Sequence, residues 1–154
     1  MSLSKADAAI FDRWINKIGE YGGIVPAKLA SKLMAGARLV IRFLPTETCR
    51  ETIVRKIAPE QALQLGTAIL SKLGELVPND DIEPSQRVLK AVIGCGFLDM
   101  SPAIVRLEIC DGDPGECAFR ISAAAKEGLI KQDAAPKAVK RVAAELLNAV
   151  CLYQ

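Results

Sequence analysis

The chemistry open to this chain is limited first by the absence of histidine from its sequence. Histidine is the commonest general base and the commonest metal ligand, so its absence removes every Ser-His and Cys-His nucleophile. The sequence also contains no Gly-Lys-Ser/Thr phosphate-binding loop and no dinucleotide-binding fingerprint. These absences predict a protein that is not an enzyme and binds no cofactor. An enzyme that uses two facing carboxylates in a cleft stays open as an alternative.

Two acidic turns, at residues 79–83 and 111–116, are the places where a metal ion could bind. Hard cations prefer oxygen ligands, and both turns supply several carboxylates. The spacing in the second turn does not fit a twelve-residue calcium loop, and Asp, Gly and Pro are common in turns for conformational reasons. The cysteines form no Cys-x-x-Cys pair, which argues against a structural zinc site. The sequence therefore predicts no metal site.

The cysteines also bear on the compartment of the protein. Their number is odd, and they lie in apolar surroundings that suit small buried side chains: Cys49, Cys95, Cys110, Cys117 and Cys151. A secretory signal has a basic start followed by a hydrophobic run, and the sequence shows no such pattern. We therefore predict five reduced thiols and a cytoplasmic location.

Cations are concentrated in one predicted helix, residues 25–45. On a helical wheel its polar residues fall within about one third of the circumference. Four of them form what we name the basic stripe: Lys28, Lys32, Arg38 and Arg42. Interior cations argue against a transmembrane helix. The stripe predicts either internal pairing with residues 58–118, which hold ten acids and four bases, or a surface for an anionic partner. We favour internal pairing.

The elements that must position these residues are predicted to be helices throughout. Apolar residues recur at helical spacing, and no stretch alternates convincingly with period two. The predicted segments are residues 4–21, 25–45, 46–57, 58–76, 84–94, 101–110, 117–125 and 134–150. A chain of 154 residues, 51% of them hydrophobic, can bury one core. We therefore predict an all-α fold: a compact single domain, residues 1–154, with about seven or eight helices and no β-sheet.

The turn at residues 79–84, Asn-Asp-Asp-Ile-Glu-Pro, resembles the acidic turns of the tellurite-resistance B family. The likeness covers less than half of the chain. It implies an all-α fold with two such turns, which would bind metal. Neither turn of this chain carries the Asp-Gly of that family, and the second, residues 126–131, is largely basic and apolar.

Three functions follow from these observations. The leading prediction is a non-enzymatic cytoplasmic protein that acts through protein–protein contacts, as an adaptor or in assembly, with a protein partner or with itself. The alternative is an anion-binding module that uses the basic stripe on nucleic acid or an acidic membrane surface. Nucleic acid is less favoured because the chain shows neither a helix-turn-helix nor interleaved aromatic residues. The second alternative is a stress protein like those of the tellurite-resistance B family.

Overall fold

The computed structural model describes residues 7–14, 43–77, 87–95, 101–127 and 131–149. Within these ranges, five strands form one sheet in the order β1-β5-β4-β3-β2, and all neighbouring strands are antiparallel. The strands are β1 (Thr46–Arg55), β2 (Glu75–Leu76), β3 (Val88–Cys95), β4 (Ser101–Asp111) and β5 (Cys117–Lys126). The helices of the same ranges are α1 (residues 7–14), α2 (Pro59–Leu73) and α3 (Ala134–Ala149).

The prediction of an all-α helical bundle is wrong. The segments predicted as helices at residues 46–57, 84–94, 101–110 and 117–125 contain the four long strands β1, β3, β4 and β5. The centre of the sheet is covered on both faces, so its strands carry small or apolar residues at consecutive positions. Ala123, Ala124 and Ala125 of β5, for example, are each 0% exposed. Such a strand lacks the period-two alternation by which a half-buried strand is usually recognised.

The helix predictions are confirmed where local signals were strong. Helix α2 begins at Pro59, a residue that suits the first turn because its missing N–H is not needed there. It ends at Leu73, three residues before the predicted end. Helix α3 begins at Ala134 as predicted, and residues 7–14 are helical within the predicted segment 4–21. The predicted helix at residues 25–45 lies almost entirely outside the described residues.

The sheet has an inner face, formed by the odd-numbered residues of the four long strands, and an outer face, formed by the even-numbered residues. Helices α2 and α3 pack on the inner face and build the main core, which includes Leu107, Phe119 and Ile121 from the strands and Leu70, Val139 and Leu146 from the helices. Helix α1 packs on part of the outer face, where Phe11 contacts Val92 and Ile104. The outer face is therefore covered beside β3 and β4.

The thiols agree with the predicted reduced state as far as they are described. Cys95 and Cys117 are buried, Cys49 and Cys110 are half-buried, and all four are reduced cysteines; Cys151 lies outside the described residues. Burial raises the pKa of the Cys117 thiol, and the charge of Asp111 raises it further. We expect denaturing titration without reductant to find five thiols, and native titration to find Cys117 among the slowest to react. A stable disulfide would contradict the predicted compartment.

Candidate interaction surface

The residues proposed from the sequence as a binding site, Lys28, Lys32, Arg38 and Arg42, lie outside the described residues. The basic stripe therefore stays a prediction, and so does the acidic turn at residues 79–83. The turn at 111–116 is described and joins β4 to β5 through backbone hydrogen bonds between Gly112 N–H and Glu116 O and between Glu116 N–H and Asp113 O. Among the described residues, no group of three acidic or cysteine side chains could hold a metal ion.

A different set of cations is gathered by the sheet. The outer face of β1, β3, β4 and β5 carries five bases and one acid, Glu108. The five bases are Arg50, Lys90, Arg106, Arg120 and Lys126. Antiparallel pairing sets Arg50 opposite Ser122, Ser122 opposite Arg106, and Arg106 opposite Lys90, so one row of the sheet crosses four strands with three cations. The register thus concentrates positive charge on one face.

Two of these bases are held by groups that lie outside the outer face of the strands. Lys90 Nζ lies 3.0 Å from Asp7 Oδ1 of α1, and the two side chains are only 7% and 4% exposed. Lys126 Nζ donates a hydrogen bond to the carbonyl oxygen of Leu44 at 3.0 Å. The cations on the more open part of the outer face are therefore Arg50, Arg106 and Arg120.

A groove of about 440 Å³ lies at the end of β3 and β4 nearest the 111–116 turn. Its lining residues are Arg87, Val88, Arg106, Glu108, Ile109, Cys110 and Asp111. Glu108 holds two arginines beside it: Oε1 is 3.0 Å from Arg106 Nε, and Oε2 is 3.3 Å from Arg120 Nη1. Although Arg106 Nε lies at ion-pair distance from Glu108, it makes no hydrogen bond within the described residues. Arg50, Arg106 and Arg120 form what we name the basic surface. The groove borders this surface at Arg106 and Glu108, where Glu108 pairs with the guanidinium groups of Arg106 and Arg120.

Strand β1 forms one edge of the sheet, with β5 as its neighbour within the described residues. The register that pairs Thr46 with Lys126 sets Pro45 opposite Glu127, and Glu127 N–H donates to Pro45 O at 3.1 Å. Hydrogen-bonded pairs recur at every second residue of an antiparallel ladder. The odd residues of β1 therefore bond to β5, and the backbone groups of the even residues point away from the sheet. All five even residues are exposed: Thr46, Thr48, Arg50, Thr52 and Val54.

Two carboxylates, Glu47 and Glu127, face each other at the opposite end of the sheet from the groove. Glu127 is 7% exposed, and its Oε2 and Oε1 accept the backbone N–H groups of Gln132 at 2.7 Å and Ala134 at 3.0 Å. Burial alone would raise the pKa of Glu127, but these two N–H groups hold it below its usual value. Burial raises the pKa of Glu47, and hydrogen bonding to Glu127 and the charge of Glu127 raise it further.

The geometry of this pair accounts for how α3 is held on the sheet. Because the pKa of Glu47 is raised and that of Glu127 is lowered, Glu47 holds its proton to a higher pH than Glu127 does, and the ionised Glu127 accepts the backbone N–H groups at the start of α3. Lys131 Nζ, 3.8 Å from Glu47 Oε1 and 3.1 Å from Asp133 Oδ1, partly compensates the negative charge. Both oxygens of Glu127 are occupied by the backbone, so Glu127 supplies no open carboxylate to a ligand.

The sequence contained a signal for the surface that the prediction missed. In Val105-Arg106-Leu107-Glu108-Ile109, apolar and charged residues alternate, and Phe119-Arg120-Ile121-Ser122 repeats the pattern. Period-two alternation of this kind indicates a strand with one buried face. It would have placed Arg106 and Arg120 on the open side of neighbouring strands.

No protein-family model matches the chain, and a search of curated proteins finds no match. Among solved structures, the chain is similar to the crystal structure of Ara h 8.0201, with 13% sequence identity and a TM-score of 0.36. The match covers 71% of this chain and 97% of that chain. No helix within the described ranges is long and apolar enough to cross a membrane.

Proposed function

We propose that the protein is a non-enzymatic binding protein that acts through protein–protein contacts and docks an acidic partner on the outer face of its sheet. The observation that carries this proposal is the separation of charge between the two faces. Arg50, Arg106 and Arg120 share the more open part of the outer face, and Glu108 is the acid beside them. Complementary charge of this kind steers a partner to a surface and sets its orientation.

A protein partner fits the surface better than single-stranded nucleic acid. The outer-face residues of the four long strands include no aromatic side chain on which a base could stack. The exposed threonines of β1, and its backbone edge that is unpaired within the described part of the chain, instead offer hydrogen bonds suited to a polypeptide. The free thiols described above support the cytoplasmic location that belongs to this proposal.

The second candidate function is an anion-binding module for duplex nucleic acid or an acidic membrane surface. The same three arginines favour it, because contacts to phosphate need only well-placed cations. Duplex DNA and anionic vesicles therefore belong in the same experiment as an acidic polypeptide.

The test is a charge change on the outer face, Arg50→Glu with Arg120→Gln, measured as the affinity for poly-L-glutamate at low salt. We expect the change to weaken binding about tenfold or more and to reduce its dependence on salt, because two of the docking cations are lost. The matched control, Lys140→Glu with Lys72→Gln on α3 and α2, makes the same change in net charge and should leave binding nearly unaltered.

Two results would contradict the proposal. Equal weakening by the control would show that poly-L-glutamate responds only to net charge. The second result is that duplex DNA or anionic vesicles bind more tightly than poly-L-glutamate, and that the Arg50/Arg120 variant loses this binding while the control keeps it. That result would favour the anion-binding function over an acidic protein partner.

A further inference from the structure

The edge strand β1 has few of the features that usually prevent a strand from pairing with another chain. It is ten residues long, contains no proline, and pairs with β5 in a continuous register without a bulge. Natural edge strands are commonly protected by short length, proline, bulges or charge. Of these, β1 has only charge, and on the outer face that charge is Arg50.

The residues of β1 suit the addition of a strand. Thr46, Thr48, Thr52 and Val54 are β-branched, and their backbone N–H and C=O groups alternate with those of Arg50 along the edge that no described strand pairs with. Val54 is 54% exposed and offers an apolar contact four residues away from the Arg50 guanidinium. A segment that pairs with this edge would therefore find backbone partners, one cation and one apolar side chain.

A second copy of this chain is a poor occupant of the edge. Two β1 strands related by a two-fold axis pair antiparallel, with one residue opposite its own copy at the axis. The two registers that pair the most residues of this ten-residue strand centre on Arg50 or on Glu51. Each sets a like charge directly opposite itself, which destabilises a strand pair. An acidic residue opposite Arg50 has the reverse effect.

We propose that β1 accepts an extended peptide segment of a partner protein as an added strand, with an acidic residue of that segment opposite Arg50. This inference rests on the proposed function, since it gives the acidic partner a binding mode. Main-chain hydrogen bonds to the even residues of β1 supply affinity, and the side chains at alternate positions supply specificity. A β-branched residue of the segment, four positions from the acid, packs beside Val54.

The probe is a blocked nine-residue peptide, Val-Val-Thr-Lys-Glu-Val-Thr-Lys-Thr, whose central Glu lies opposite Arg50 when its first Val lies opposite Val54. Its second form has Lys in place of the central Glu. We measure amide hydrogen exchange of β1, residue by residue, with and without the peptide. We expect exchange at Thr48, Arg50, Thr52 and Val54 to slow about tenfold or more, while the odd residues, already bonded to β5, change little.

Two variants test the backbone contact and the charge contact separately. Thr48→Pro removes an N–H that points away from β5, so it spares the ladder, and we expect peptide affinity about tenfold below that of the matched Thr48→Ala variant. Arg50→Glu should reverse the preference, so that the Lys form of the peptide binds more tightly than the Glu form. If the proline variant does not fold, the Arg50→Glu variant and the amide hydrogen exchange of the wild-type protein still test the proposal.

The outcomes separate this inference from the function on which it rests. If poly-L-glutamate binding depends on Arg50 and Arg120 but the even amides of β1 gain no protection, the outer face docks its partner by side chains alone and strand addition is wrong. Equal peptide affinity of Thr48→Pro and Thr48→Ala would lead to the same conclusion. If neither poly-L-glutamate nor the peptide binds, both proposals are wrong.

Discussion

Replacing Asp7 with alanine is expected to lower the free energy of unfolding by about 3–5 kcal/mol, because Lys90 would then be buried without its counter-charge. The two side chains are among the most buried charged groups of the described residues, and their charged atoms are 3.0 Å apart. The free energy lost is mainly the cost of keeping one unpaired ammonium group away from water. Urea denaturation of the variant and of the wild-type protein measures it.

The control is the double variant Asp7→Ala with Lys90→Met, in which neither charge remains. It should recover most of the lost stability, because methionine fills the space of the lysine stem without a charge to desolvate. Glu145→Ala breaks the more exposed ion pair between Glu145 and Lys72 and should cost less than about 1 kcal/mol. A small loss in Asp7→Ala, or a double variant as unstable as the single one, would mean that Lys90 reaches water by another route.

The buried ion pair also bears on the proposed function. By holding Lys90, Asp7 fixes α1 over β3 and β4 and removes one cation from the outer face. The basic surface is thereby limited to Arg50, Arg106 and Arg120, next to the free edge of β1. Because α1 covers the outer face beside β3 and β4, the part of that face that it leaves open is the part nearest β1.

The sequence predicted the two long helices well because the signals for them are local. Pro59 marks the start of α2, and the apolar residues of α3 recur on one side of a helix whose other side is charged. The strands gave a weaker signal, because period-two alternation is confined to short stretches such as residues 105–109 and 119–122. In β1, Glu47, Cys49 and Glu51 on the inner face alternate with Thr48 and Arg50 on the outer face, so polarity does not alternate although the faces do.

The candidate surface could not be predicted from local sequence because it depends on strand register. Arg50 and Arg120 are far apart in sequence, and only the pairing of β1 with β5 brings them to neighbouring strands of one face. The prediction instead assigned Arg50 and Arg55 to one short helix, whereas the strand sends their side chains to opposite faces of the sheet. The prediction concentrated on the basic stripe because its four cations lie close together in the sequence.

Replacing Glu127 with alanine is expected to cost about 3 kcal/mol at neutral pH, because one buried and one half-buried backbone N–H group lose a charged acceptor. The N–H groups of Gln132 and Ala134 lie at the start of α3, so the loss should also loosen the first turn of that helix. Glu127→Gln keeps one acceptor oxygen without the charge and should lose less stability. Urea denaturation gives the free energies, and hydrogen exchange in α3 reports where the structure opens.

The pair of carboxylates should also make stability depend on pH in two opposite ways. The pKa of Glu47 is raised in the folded protein, so the folded state binds more protons than the unfolded state between the ordinary carboxyl pKa and that raised value. Stability from Glu47 is therefore present at low pH and is lost as pH rises through this window. The pKa of Glu127 is lowered, so its contribution is present above the ordinary value and is lost as pH falls toward the lowered one.

The variant Glu47→Gln separates these two contributions. Its amide can donate a hydrogen bond to Glu127 at every pH, so the loss of stability on the alkaline side of the window should disappear, while the loss in acid should remain. As pH rises from about 4.5, the ordinary carboxyl pKa, we expect Glu47→Gln to become progressively more stable relative to the wild-type protein. Lys131→Ala should enlarge the loss in the wild-type background, because the nearby cation no longer offsets the second charge. A difference that stays constant from acid to neutral pH would show that Glu47 and Glu127 do not share a proton.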